Sequence, residues 1–341
     1  MMLSLPSTLE NGVQEILKTL PTKQWAGEAR ALSQRYRGKR RVLTPEFVKG
    51  KEQGIAYLAL ILPATYAQLR GAMAATRAQA PDWSPQSLLD IGSGPGTAMW
   101  AAIEQWPSLN ALHAWEREPA FIALGRELAQ ASEHAAVREA QWQKIDVSLF
   151  LPRRLPTFEL VILGHVLNEL NPIHRRHVIN YAWKHCSGLL LIVEPGTLAA
   201  FSAVRSARAQ LLASGARMLA PCPHEHPCPL VDDWCHFSQR LRRPQFQRRA
   251  KAALSQWEDC KFSYAAMARF GPTTQPWARI IREPQVTKAY VEVQLCTVDG
   301  ITLHREYKKN PEAFKRTKKL PWGAILNEPL AATTMLTNFN S

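Results

Sequence analysis

Cys222, Cys228 and Cys235 stand with gaps of five and six residues in a stretch that also holds His224, His226, His236 and four prolines. A loop so stiff and so poor in apolar residues cannot fold on burial alone, and metal bonds would supply what a core does not. The spacing is not the paired Cys-x-x-Cys of most zinc modules. A fourth thiolate would come from Cys186, Cys260 or Cys296. Cys186 reads as a small buried residue at a helix end, and Cys260 precedes a strand-like run, Phe262–Phe270. The second chemical stretch is Asp90-Ile91-Gly92-Ser93-Gly94-Pro95-Gly96-Thr97, behind the apolar run Ser87–Leu89. Glycines at alternate positions let a backbone approach a ligand with no Cβ in the way. A helix beginning at Thr97 would aim its free N–H groups at the same spot. Thr97 replaces the third glycine of the dinucleotide fingerprint, which weakens an NAD reading.

These residues need elements to position them. From Ser87 onward apolar runs alternate with helical patterns: strands at 87–91, 111–115, 141–145, 158–163 and 188–193, helices at 97–105, 119–130, 174–184 and 198–214. That order predicts an α/β, doubly wound parallel sheet. Asp90, Glu116, Asp146 and Glu194 then fall at the carboxyl ends of strands, where such sheets bind ligands. Residues 1–80 read as a helical prefix along one sheet edge: Leu9, Val13, Ile16 and Leu17 recur at helical spacing, a basic run occupies Arg35–Arg41, Thr44-Pro45-Glu46 is a helix start, and Glu52–Met73 is a kinked helix pair. The expected division is a prefix (1–80), a core (81–218), a cysteine-rich loop with a basic helix (219–260), strands that complete the sheet with a C-terminal hairpin (261–325) and a flexible tail (326–341).

The 341 residues carry a net charge of +14, and residues 240–319 hold 18 Lys/Arg against 7 Asp/Glu. Most of the excess therefore sits in one region, which points to a phosphate backbone as partner. The cations expected on it are Arg242, Arg243, Arg248, Arg249, Lys251, Lys308, Lys309, Lys315, Arg316, Lys318 and Lys319. No apolar run is long enough to span a bilayer, and Met1–Pro6 lacks the basic and apolar regions of a secretory signal. A monomer in the cytoplasm is the expectation, with cysteines kept reduced.

Asp-x-Gly-x-Gly-x-Gly at a strand end resembles the first motif of class I S-adenosylmethionine-dependent methyltransferases. The resemblance implies a Rossmann-like fold and cofactor contacts from Asp90, Gly92, Gly94 and Gly96. Glu116 would hold the ribose hydroxyls and Asp146 the adenine. No catalytic residue follows. Where nucleobase amino-methyltransferases carry Asn/Asp-Pro-Pro-Tyr/Phe, this chain has Gly164-His165-Val166-Leu167-Asn168-Glu169, and Pro221-Cys222 only superficially matches a cytosine-C5 nucleophile.

Longer runs resemble the methyltransferase-like proteins of mitochondrial small-ribosomal-subunit assembly and their bacterial relatives. They are Pro63-Ala64-Thr65-Tyr66, Glu194-Pro195-Gly196-Thr197, Cys222-Pro223-His224 through Cys228-Pro229, Trp234-Cys235-His236-Phe237-Ser238-Gln239-Arg240, Lys261-Phe262-Ser263-Tyr264, Leu295-Cys296-Thr297-Val298-Asp299-Gly300 and Lys318-Lys319-Leu320-Pro321-Trp322-Gly323. This resemblance implies a 4Fe-4S iron–sulfur cluster on Cys222, Cys228, Cys235 and Cys296, and binding to small-subunit rRNA. Zinc, with a histidine among its ligands, stays open on spacing. Three activities follow: rRNA methyl transfer, ribosome assembly without turnover, or, less well matched to the charge, methylation of a small molecule.

Overall fold

The computed structural model describes residues 2–37 and 50–330. Most of the Arg35–Arg41 run, the Thr44-Pro45-Glu46 helix start and residues 331–341 of the 326–341 tail lie outside the described residues. The chain opens with α1 (Ser7–Lys18), α2 (Thr22–Arg37), α3 (Gly50–Leu60) and α4 (Leu62–Arg77), the last two broken at Ile61 with Pro63 in the first turn of α4. Leu9, Val13, Ile16 and Leu17 are the buried stripe of α1, as their spacing predicts.

Strand and helix then alternate: β1 (Ser87–Ile91), α5 (Thr97–Gln105), β2 (Ala111–Glu116), α6 (Pro119–Ala129), α7 (Ala135–Arg138), β3 (Gln141–Lys144), β4 (Phe158–Gly164), α8 (Pro172–Lys184), β5 (Cys186–Pro195), α9 (Leu198–Ala213) and β6 (Arg217–Ala220). After the cysteine loop come β7 (Phe237–Arg242), α10 (Gln245–Lys251) and β8 (Trp257–Ala268). The main sheet runs β3-β2-β1-β4-β5-β8-β6, with β7 also on β8. Strands β1 to β5 are mutually parallel, and β8 enters antiparallel against β5. The far edge of β8 is shared, β6 taking one end and β7 the other.

Neighbouring residues of each parallel strand go to opposite faces, both apolar, because both are covered. Leu88, Leu160, Ile162, Leu189 and Leu191 join the core built with α1–α6; Leu89, Val161, Leu163, Leu190 and Ile192 join the core built with α8 and α9. The prefix thus covers a face of the sheet, where the sequence suggested an edge. Cys186 opens β5 opposite Phe158 and does not end a helix, since α8 stops at Lys184. Cys260 lies inside β8, which begins five residues earlier than the apolar run suggests.

Of the strands expected over 261–325 to complete this sheet, β8 does so, whereas residues 278–326 build a second sheet. β9 (Ala278–Ile280), β10 (Gln285–Val286), β11 (Tyr290–Thr297), β12 (Gly300–Tyr307) and β13 (Ile325–Leu326) form it in the order β10-β11-β9-β13, with β12 on β11. The hairpin at Asp299-Gly300 is present, and α11 (Pro311–Lys318) packs on it. Among the described residues no helix is long and apolar enough to cross a membrane.

Candidate functional site

The turn after β1 is built by the sheet itself: the Gly92 and Ser93 amides donate to the Trp115 carbonyl at 2.8 and 2.9 Å, and Gly96 caps α5 in a left-handed conformation. All three glycines have positive φ, between +54° and +81°. Their surroundings differ. A Cβ on Gly92 would stand 2.5 Å from Val166 Cγ2, and one on Gly96 2.7 Å from Met99 Cε and 3.0 Å from the Trp142 ring, whereas Gly94 has nothing within 4 Å. Two of the glycines therefore accommodate the protein's own side chains, and only Gly94 leaves the opening that all three were expected to leave.

Of the strand-end acids, Glu116 and Asp90 meet at this turn. Glu116 accepts the Gly94 amide at 2.7 Å and the Glu118 amide at 2.9 Å, so its carboxylate already anchors the turn. Its burial nevertheless raises its pKa, the amide bonds and Arg117 opposing. Asp90, 1% exposed, is pushed up to about 8, first by burial and then by the Glu116 charge. One oxygen of Asp146 accepts both the amide and the hydroxyl of Ser148, at 2.9 and 2.6 Å, closing its own turn. Glu194 is fully buried and accepts the Leu167 amide at 2.7 Å, fixing the turn after β4. In that turn His165 has φ +63° and donates its amide to Val193, while Glu169 pairs with Arg117 at 3.6 Å.

The four cysteines expected together come together. Cys222, Cys228, Cys235 and Cys296 line one cavity of about 40 Å³ between α9, the cysteine loop and β11. Cys186 and Cys260 do not reach it: each is buried elsewhere in apolar packing, which raises both thiols to about 12. Burial also raises the pKa of Cys222, Cys235 and Cys296, so the metal-free thiols are protonated at neutral pH. His224 Nε2 lies 3.5 Å from the Cys296 sulfur, and burial lowers the pKa of His224. Among the described residues no group of three or more His, Cys, Asp or Glu converges closely enough to hold a single metal ion.

Sequence reasoning missed the charges behind this cavity. Arg208 of α9 and Arg279 of β9 are 5% and 3% exposed. Arg208 donates to the His224 carbonyl at 2.8 Å, its charge opposes the burial that raises the Cys222 pKa, and its buried Nε–H has no hydrogen-bond partner among the described residues. Arg279 donates to the Pro221 and Gly323 carbonyls at 2.9 and 2.5 Å and to the Tyr264 hydroxyl at 3.2 Å. Neither has a carboxylate within 4 Å among the described residues. One signal was available for Arg208, which interrupts the apolar stripe Ala200, Val204, Ala207, Leu211 of its helix. A second tie joins the loop to the C-terminal segment: the His236 ring stacks on Trp234 at 5.1 Å and meets the edge of Trp322 at 4.9 Å.

The basic region is partly neutralised from within. Arg243 and Lys251, expected on phosphates, both pair with Glu258, at 3.3 and 2.5 Å. Lys315 pairs at the surface with Glu312 at 3.5 Å. Arg242, Arg248, Arg249, Lys308, Lys309, Arg316, Lys318 and Lys319 have no such partner among the described residues.

Comparison with known proteins adds relatives. The chain is 28% identical over 289 residues to the human (Homo sapiens) ribosome assembly protein METTL17, mitochondrial, covering 80% of this chain and 62% of that protein. It is 23% identical over 331 residues to the Rsm22-cox11 tandem protein 2, mitochondrial, of Schizosaccharomyces pombe, covering 80% of this chain and 43% of that one. It thus spans less than two thirds of either relative. Among solved structures, magnesium protoporphyrin IX methyltransferase from Synechocystis PCC 6803 with bound SAM aligns at 11% identity and a TM-score of 0.40, covering 70% of this chain and 90% of that one. A likeness that distant says nothing of function. The profile of the family described as mitochondrial small ribosomal subunit Rsm22 matches residues 51–327, and the chain belongs to that family.

Proposed function

We propose that this chain is a methyltransferase-like, S-adenosylmethionine-binding protein that assembles with the small ribosomal subunit and its rRNA, braced by an iron–sulfur cluster on Cys222, Cys228, Cys235 and Cys296. The observation that carries the reading is the convergence of those four thiols, from separated stretches of chain, on one cavity beside two buried arginines that lack carboxylates. With protonated thiols, neither buried guanidinium has a close counter-charge, Arg208 feeling only the more distant Glu225 carboxylate, at a cost of roughly several kcal/mol each. Binding a metal centre deprotonates thiols, and four thiolates around a 4Fe-4S core would leave a dianion facing two cations. The unpartnered Arg208 Nε–H suits a centre that carries acceptor sulfides. Such a cluster would supply cross-linking bonds between the loop and β11.

Support for the cofactor lies in the open face of Gly94, with Glu116 and Asp90 beside it at the carboxyl edge of the sheet. The turn after β4, where an acceptor would react, is committed internally through Leu167, Glu169 and Glu194, which supports binding without turnover. The named relatives support a role in ribosome assembly, and the unpaired cations of α10, of the turn after β12 and of the α11 end support contact with RNA phosphates.

The test is incubation with small ribosomal subunits and tritiated S-adenosylmethionine, followed by sedimentation and RNA extraction. Co-sedimentation without label in the RNA is expected. Label in rRNA would make the protein an enzyme; absence from the subunit fraction would overturn the assignment.

A further inference from the structure

We propose that Arg208 and Arg279 are the fixed counter-charges of the four-thiolate centre and set how readily that centre takes up an electron. The inference rests on the cluster reading above. Both guanidinium groups are nearly sealed from water, Arg208 of α9 lines the cavity while Arg279 of β9 acts on the Cys222 and Cys296 sulfurs from outside its lining, and neither has a carboxylate within 4 Å among the described residues. Their hydrogen bonds to protein are to neutral groups: the carbonyls of Pro221, His224 and Gly323 and the Tyr264 hydroxyl. A neutral side chain able to donate to carbonyls could have filled either place without burying a charge. A full positive charge is stable there only opposite a negative one.

The residues are not redundant. Arg208 holds the centre's own loop at the His224 carbonyl and lines the same cavity as Cys222. Arg279 ties that loop, through Pro221, to Gly323 in the C-terminal segment and to Tyr264 in the main sheet. Arg208 therefore acts chiefly on the centre, and Arg279 on the centre and the brace together. Reduction adds one electron to a centre already negative, and a buried cation favours the reduced form. A neighbouring opposite charge shifts a protonation equilibrium by about ten- to a thousandfold. At the lower end of that range, removing one arginine would lower the one-electron reduction equilibrium about tenfold, a shift of about 59 mV to more negative potential.

The experiment compares the parent with Arg208→Gln, Arg208→Lys, Arg279→Gln and Arg279→Lys, purified anaerobically. Iron, sulfide and zinc are quantified first, then the midpoint potential is taken by spectroelectrochemistry. The expected result is a negative shift of about 59 mV or more in each Gln variant, with the Lys variants close to the parent. Should Arg279→Gln fail to fold, having lost three tethers, Arg208→Gln and the Lys exchanges still decide. Gln variants that keep the cluster at the parental potential, or Lys variants that shift as far as Gln, would overturn the inference alone. If the parent holds zinc, the cluster reading fails and the counter-charge role is read as zinc affinity against a chelator: a tenfold loss in Gln but not Lys variants supports it, and no loss refutes it. A parent that binds neither metal overturns both.

Discussion

Asp90→Asn should stabilise the protein, by an amount that grows with pH. Asp90 is 1% exposed at the end of β1, and its pKa rises from 3.8 to about 8 through burial and the nearby Glu116. Between those values the folded state holds a proton that the unfolded chain has released, so unfolding releases one proton. Stability then falls as pH rises, by about 1.4 kcal/mol per unit for one proton. The contribution is neutral below pH 3.8 and its full cost is reached above about 8. Asparagine has nearly the shape of the protonated acid and does not titrate. The difference between the Asp90→Asn variant and the parent should therefore widen by roughly 3 kcal/mol from pH 5 to pH 7. The assay is urea unfolding of both proteins, metal-loaded, at pH 5, 6 and 7. Parallel stability profiles would refute the reasoning, because they would mean that Asp90 ionises in the fold as readily as in the unfolded chain.

Three further outcomes are expected. Gly125→Ala should cost about 1–3 kcal/mol, since its Cβ would stand 2.2 Å from the Trp142 ring, whereas Gly27→Ala in α2, with nothing within 4 Å, should gain about 0.5–1 kcal/mol; urea midpoints check both signs. Gly94→Val should abolish S-adenosylmethionine binding in calorimetry, because it puts a side chain into the only open face of the turn and strains a φ of +54°. Affinity for single-stranded rRNA segments should fall with salt. Exchange of Arg316, Lys318 and Lys319 to Gln should flatten the log–log slope by about 0.7 for each phosphate no longer neutralised, while Arg243→Gln should leave it unchanged, since Arg243 serves Glu258.

Local signals made much of the core legible. The parallel strands are short apolar runs, the helices carry period or caps, and the glycine turn sits where the chain order puts it. Asn171 and Thr197, for instance, accept the His174 and Ala200 amides at the starts of α8 and α9. What was not legible depends on distant partners. The first residues of β8, Glu258, Asp259 and Lys261, look like loop until β7 lies beside them, with Arg240 on Asp259 and Arg243 on Glu258. Gly92 and Gly96 looked open to a ligand, but Val166, Met99 and Trp142 fill their faces from later in the chain. The cysteine set was nameable because a family resemblance paired Cys296 with the loop; spacing alone left Cys186 and Cys260 in play. Arg279 carried no local mark at all, since its meaning lies in Pro221, Tyr264 and Gly323.

The most direct test of the account is metal and sulfide analysis of anaerobically purified parent and of single Cys→Ser variants at all six cysteines. The account predicts about four irons and four sulfides per chain, lost on substitution of Cys222, Cys228, Cys235 or Cys296 and retained in Cys186→Ser and Cys260→Ser. Iron and sulfide that survive Cys296→Ser, or that disappear with Cys260→Ser, would contradict it.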